Sequence, residues 1–229
     1  RATLLTIRSS SVLNASVFHH LRIVMVFKSY SSSKVVISFE LFPPRTDQGV
    51  STLKERLTHL ASLNPDFITV TYGAMGSTQT NTLEIASHIK NVLNIEVAHH
   101  LTCVGATTQN INHTLSQMLE HNISDIVALR GDPPEGTQGF TSTLNEFRYA
   151  EDLVNHINTA GRFSIAVAGY PEKHIEAPNM ATDIDNLKRK VDAGADAIIT
   201  QLFYNNDDYF EFVNICINSK ISDTIMVGG

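Results

Sequence analysis

Cysteine is scarce in this chain of 229 residues, with Cys103 and Cys216 its two examples. Two are too few for a disulfide framework or a cysteine-built zinc site, and as reduced thiols they read as small hydrophobes. Long apolar runs are missing too: none approaches the ~20 residues of a membrane span. No G-x-G-x-x-G follows a strand, and neither G-x-x-x-x-G-K-S/T nor H-E-x-x-H occurs, so a Rossmann domain, a P-loop and a helical metal site are not expected. An excess of positive charge is also lacking. The net charge of −6 argues against a nucleic-acid partner. With 42% hydrophobic and 17% charged residues, 12 glycines and 7 prolines, the composition fits one soluble domain with a sizeable core.

Residues 1–34 lack Asp and Glu and are rich in Ser, with Arg1, Arg8, Arg22, Lys28 and Lys34 as their cations. That fits a mitochondrial-type presequence weakly and upstream sequence ahead of a start at Met25 better. Either way, a disordered or non-native leader is expected over 1–34 and the domain over 35–229. The chain begins with Arg1 and ends on the strand-like Met226-Val227-Gly228-Gly229, which suggests a fragment.

From Val35 onward the pattern is regular. Apolar runs predict buried strands at Val35–Phe42, Phe67–Tyr72, Glu96–Thr102, Ile126–Arg130, Ser164–Tyr170, Ala197–Phe203 and Thr224–Val227. They recur roughly every 30 residues, the length of a strand–helix–strand unit. Helical stripes lie between them: Leu53, Leu57 and Leu60 behind Ser51; the Leu83–Val92 segment; Ile111, Leu115, Met118 and Leu119 behind a Thr108 cap. They continue with Leu153, Val154 and Ile157; Ile184, Leu187 and Val191, closed by Gly194; and Phe210, Val213 and Ile217. Strict alternation implies parallel strands with right-handed crossovers. An open doubly wound sheet and a (β/α)8 TIM barrel both satisfy it. A full barrel takes ~250 residues, so the favoured reading is a barrel whose last βα unit is missing from this chain.

The strand ends carry the chemistry. Ile126–Leu129 is a buried run that stops at Arg130-Gly131-Asp132, after which Pro133-Pro134 forbid more strand. Glu40, Thr69 and Thr71, His99, His100 and Thr102, Tyr170 and Gln201 end other strands, and in a parallel barrel all these ends meet at one face. Each alone has a plain alternative: Glu40 paired with Arg45 or Arg130, His100 bonded to backbone, the threonines as strand formers, Gln201 as a loop cap. Six coincidences on one edge support a site. Asp183, Asn186, Arg189 and Lys190 share one helix face, either as an anion grip for a diphosphate or as a solvated surface. Spacing alone favours the solvated surface. The Asn112-His113-Thr114 sequon is discounted, since nothing else suggests secretion.

The runs Ser38-Phe39-Glu40-Leu41-Phe42-Pro43-Pro44-Arg45, Val70-Thr71-Tyr72-Gly73-Ala74 and His100-Leu101-Thr102-Cys103 closely resemble the methylenetetrahydrofolate reductase family. So do Ala128–Pro134, Tyr170-Pro171-Glu172, Asn186–Lys190 and Thr200-Gln201, in unbroken order from about Val35 to Gly229. The likeness is read as nearest to the short bacterial-type enzyme, truncated at its C-terminus. The resemblance implies a flavoprotein oxidoreductase barrel that reduces 5,10-methylenetetrahydrofolate to 5-methyltetrahydrofolate, with FAD relaying hydride from NADH or NADPH. That activity belongs to one-carbon metabolism and methionine biosynthesis and is expected in the cytoplasm, without membrane or nucleic acid; a homo-oligomer is compatible with it.

By the same resemblance Glu40 is the general acid, protonating a nitrogen of the methylene-bridged ring so that it opens to an electrophilic iminium. This role needs a raised pKa, which a buried mouth would supply. Asp132 is implied near the flavin ring and the pterin, with a catalytic electrostatic role, and Gln201 on the pterin. Thr71, His100, Arg130, Gly131, Tyr170 and His174 are implied to line FAD; Asp183, Asn186, Arg189 and Lys190 would hold its ribose and diphosphate. Ala195 matches a position linked to flavin retention. Two alternatives stay open: an FAD-binding but catalytically silent barrel fragment, and an unrelated pterin-binding methyltransferase barrel needing no flavin.

Overall fold

The computed structural model describes residues 25–29, 35–72, 77–132, 146–221 and 225–226. Among these residues seven strands alternate with six helices: β1 (Ser38–Leu41), α1 (Asp47–Ala61), β2 (Phe67–Val70), α2 (Ser77–Asn91), β3 (Glu96–Thr102), α3 (Thr108–Glu120) and β4 (Asp125–Leu129). There follow α4 (Ala150–Thr159), β5 (Ser164–Gly169), α5 (Met180–Asp192), β6 (Ala197–Thr200), α6 (Asn206–Asn218) and β7 (Ile225–Met226). The strands form one parallel sheet in the order β1-β2-β3-β4-β5-β6-β7. A doubly wound sheet reverses its order at a switch point; this one winds in a single direction, as a TIM barrel does. That decides between the two architectures left open by alternation.

Local chemistry sets the element boundaries. Thr46 caps α1, its side chain accepting from the Gly49 amide, so the helix starts ahead of the expected Ser51. Thr107, one residue before the expected Thr108, caps α3 in the same way through the Asn110 amide. Of the expected α1 stripe Leu57 is buried, joined by Val50, while Leu53 and Leu60 are half-buried; Ile111, Leu115 and Met118 of α3 are buried and Leu119 is half-buried. Leu153, Val154 and Ile157 of α4 are buried, as are Ile184 and Leu187 of α5. Gly194 follows α5 with φ +118°, a conformation disfavoured for a residue bearing a Cβ. The α6 stripe is phased differently from expectation. Phe212 and Cys216 face the core, while Phe210 and Ile217 are 59% and 57% exposed. An apolar residue does not reveal which side of a helix the sheet lies on when the stripe is wide.

Two cores result. The larger lies between sheet and helices; the smaller gathers Phe67, Ala98, Val127, Ala166 and Ala197, one from each of β2 to β6, with Val26 and Phe27. The exclusion of residues 1–34 from the fold is therefore corrected for Met25–Ser29. Phe27 is buried edge-on against Phe67 at 5.8 Å, and Lys28 Nζ donates to the Phe163 carbonyl at 2.8 Å. The hydrophobic Val26 and Phe27 cover these inward side chains at the floor of the barrel and are buried with them. Four of the strands are shorter at their ends than the apolar runs suggested: β1 omits the exposed Val35 and Ile37, and β6 stops at Thr200 before the exposed Leu202. The expected Thr224 and Val227 of β7 lie outside the described residues.

Candidate active site

The C-terminal strand ends do converge, but they separate into two clusters. At the first, Glu40 on β1 registers with Thr69 on β2. The Thr69 hydroxyl donates to Glu40 Oε2 at 3.4 Å, and His100 Nε2 lies 3.5 Å from the same oxygen. His100 is buried, and desolvation pushes its pKa down to about 4, so it faces Glu40 as a neutral imidazole rather than an ion-pair partner. Its Nε2 has no hydrogen-bond partner among the described residues. The Glu40 side chain is 49% exposed, which corrects the expectation of a buried acid. β1 is the first strand of the sheet, and among the described residues no strand pairs with its other edge beside Glu40. Thr71 follows β2, its amide donating to the Leu41 carbonyl at 2.9 Å, and Gln201 follows β6, its amide donating to Gly169 at 2.8 Å.

The second cluster is a pocket of about 330 Å3 at the ends of β4 and β5, walled by α5. Of the expected residues it takes Arg130, Tyr170, His174, Asp183, Asn186, Arg189 and Lys190; Glu40, Thr71, His100, Gly131, Asp132 and Gln201 lie outside its lining. Arg130 does not pair with Glu40. Its Nη1 and Nη2 donate to both oxygens of Glu176 at 2.6 and 2.8 Å, which raises the Arg130 pKa and lowers that of Glu176. Gly131 turns the chain with φ +84°, and a Cβ there would meet Val104 Cγ1 at 2.7 Å. Asp132, next along, is exposed, and its charge contributes to raising the pKa of Arg130 and Tyr170.

The α5 face is not the solvated surface that spacing favoured. Asp183 is buried and its Oδ2 accepts from the His174 amide at 2.9 Å. Lys190 Nζ donates inward to the Ala168 carbonyl at 2.6 Å, and burial pulls its pKa down to about 8 against the attraction of Asp183 and Glu151. Arg189, more open, reaches Glu151 on α4 at 2.9 Å and also bonds Asn186. Tyr170 stands edge-on to His174 at 4.7 Å, with Lys190 Nζ 5.9 Å from its ring. Burial raises the Tyr170 pKa, keeping its hydroxyl protonated. Ala195 packs against the larger core rather than into the pocket.

Sequence reasoning missed Tyr149, Glu151, Glu176 and Pro178, which also line the pocket. The signal was available only for Glu176, which follows His174 by two residues; Glu151 belongs to a helix whose facing neighbour cannot be inferred from spacing. Two guanidinium groups and a half-buried ammonium can donate to a diphosphate and the buried Asp183 carboxylate can accept from a ribose hydroxyl, so these residues fit the implied FAD.

The single-direction parallel sheet with polar residues gathered at its C-terminal strand ends is the architecture of an enzyme of the TIM-barrel class. The family model described as methylenetetrahydrofolate reductase matches residues 26–228, and the chain belongs to that family. It is 44% identical over 220 residues to methylenetetrahydrofolate reductase (NADH) 1 of Arabidopsis thaliana, covering 91% of this chain and 37% of that one. It is 40% identical over 195 residues to 5,10-methylenetetrahydrofolate reductase of Escherichia coli K12, covering 85% of this chain and 64% of that one. The likeness is thus not confined to the bacterial type, and the chain spans about a third of the plant relative and under two thirds of the bacterial one. Among solved structures, a Clostridium thermocellum protein that binds two copies of 5-methyl-5,6,7,8-tetrahydrofolic acid superposes with a TM-score of 0.59 at 12% identity, over 84% of this chain and 65% of that one. Tryptophan synthase from M. tuberculosis superposes with a TM-score of 0.56 at 12% identity, over 86% and 74% of the respective chains. Both support the barrel fold alone.

Proposed function

We propose that the chain performs the FAD-dependent reduction of 5,10-methylenetetrahydrofolate to 5-methyltetrahydrofolate with NADH. The carrying observation is the donor set of Arg130, Arg189, Lys190 and Asp183 in one pocket, opening at the same barrel face as Glu40. Bound there, FAD would supply the hydride-transfer chemistry that links the nicotinamide to the folate. Arg130, Arg189 and Lys190 would meet its diphosphate, and Asp183 and Asn186 its ribose end; Tyr170 and His174 would pack beside it. Thr71, His100 and Gly131 would border the ring, and Asp132 would set the charge there.

Glu40 delivers a proton to a ring nitrogen of the substrate, breaking its bond to the bridging carbon. Thr69 donates to Glu40 Oε2 and orients the carboxyl group, and the neutral His100 imidazole packs beside the same oxygen. Gln201 would bond the pterin edge. The relatives' printed NADH favours that donor over NADPH.

A visible spectrum of the purified chain, before and after anaerobic NADH, tests the reading. A flavin band that bleaches supports it. A chain that stays colourless after FAD addition refutes it. A second reading is an FAD-binding but silent barrel. A flavin band that NADH leaves intact selects that reading.

A further inference from the structure

We propose that Glu176 is a positioning residue for the cofactor pocket, acting through Arg130; the proposal rests on the reading that this pocket takes FAD. Glu176 stands on the loop between β5 and α5, while Arg130 follows β4. The two side chains meet end-on, both Nη atoms against both carboxylate oxygens, with Arg130 19% and Glu176 53% exposed. A guanidinium held this way cannot rotate about its plane. The carboxylate fixes which edge of the fork faces the pocket, and a lysine could not be fixed so.

The same residue ties that grip to the rest of the lining. The Glu176 amide donates to His174 Nδ1 at 3.1 Å, and the His174 amide donates to Asp183 Oδ2. Lys173, at φ +73°, turns its Nζ onto the His174 and Ala177 carbonyls and shapes the loop that presents Glu176. One connected path therefore runs from the β4 end, through Glu176, to the α5 face. Arg130 alone, on the flexible stem of its side chain, would lose rotamer freedom on meeting a ligand; held by Glu176, it has lost that freedom beforehand. The half-exposed carboxylate partner is the part of the pair turned toward solvent, so it supports the guanidinium rather than replacing the ligand.

A double-mutant cycle on FAD affinity, read by absorbance or flavin-fluorescence titration of the full chain, tests this. Glu176→Ala is expected to weaken binding about 10-fold and Glu176→Gln about 3-fold, the amide keeping one of two bonds. In an Arg130→Ala background, Glu176→Ala should change affinity less than about 2-fold, because its effect travels through Arg130. Thermal melts of the Gln variant without FAD are expected to stay close to wild type, which separates positioning from folding. An undiminished Glu176→Ala effect in the Arg130→Ala background overturns the proposal, as does wild-type or tighter binding by Glu176→Ala alone. A wild-type chain that takes up no FAD removes the cofactor reading and this proposal together, whereas a wild type that binds and a cycle that is additive removes only this one.

Discussion

Two carboxylates face the inside of the barrel from opposite ends. Glu40 stands at the mouth, 49% exposed, touching Thr69 and His100 at 3.4 and 3.5 Å. Asp125 lies at the floor on the same face of β4 as Val127, buried under the turn of residues 25–29. Burial pushes Asp125 up to about 7, although the Val26 and Phe27 amides bond it and hold it down in part. The carboxylate that burial perturbs so far thus lies at the floor, away from the strand ends where the candidate site lies. Perturbation by burial marks structural carboxylates as readily as catalytic ones, and in a barrel the end of the strand decides which is which.

Glu40→Gln strikes the mouth. It is expected to cut turnover by about 10²- to 10⁴-fold, the usual worth of a general acid, while FAD titration and melting temperature stay near wild type. A matching loss of stability would show that mouth and floor share one job. Phe27→Ala strikes the floor and should lower stability by about 3 kcal/mol, seen in denaturant melts, with the affinity of the folded protein for FAD unchanged.

Lys190→Met separates ligand from fold within the mouth. FAD affinity should fall by about 30-fold as a buried charge partner is lost. The wild-type pH profile follows with its sign. Unfolded Lys keeps its proton to 10.5, whereas native Lys190 releases it near 8, so the native state is penalised below 8. Between pH 8 and 10.5 this group makes the chain more stable as pH rises, while FAD affinity weakens; Lys190→Met should flatten both trends. Asp125→Asn gives the smallest change. Native Asp125 holds its proton to about 7 and the unfolded residue only to 3.8, so stability contributed by this group falls as pH rises across that window. The variant should lose that slope and gain about 1 kcal/mol at pH 8, measured by thermal melts.

The fold was largely legible because periodicity reports burial directly. β3 matched its predicted bounds, the α4 stripe was buried as read, and the α3 stripe was buried except for the half-buried Leu119. The exposed flanks of β1 and β6 were misread because apolar composition continues past the last ladder hydrogen bond. Seven pocket residues were found from sequence, through resemblance more than spacing: the spacing of Asp183 to Lys190 pointed to solvent, and only packing shows Lys190 turned inward. The partners of Arg130 and Arg189 were illegible, since Glu176 is 46 residues from Arg130 and Glu151 is 38 from Arg189. Electrostatic pairing across loops leaves no period in a sequence.

The floor turn has a consequence for how the chain is made. Lys28 finds its carbonyl partner at Phe163, 135 residues later, and the buried side chains around Phe27 extend to Ala197 on β6. These residues leave the ribosome early and must wait, apolar and unsheltered, until most of the barrel has followed. Contacts of such long sequence separation are slow to form, so floor closure belongs late in folding. During that interval the Met25–Phe27 stretch is a surface for chaperones to hold and for neighbouring chains to capture.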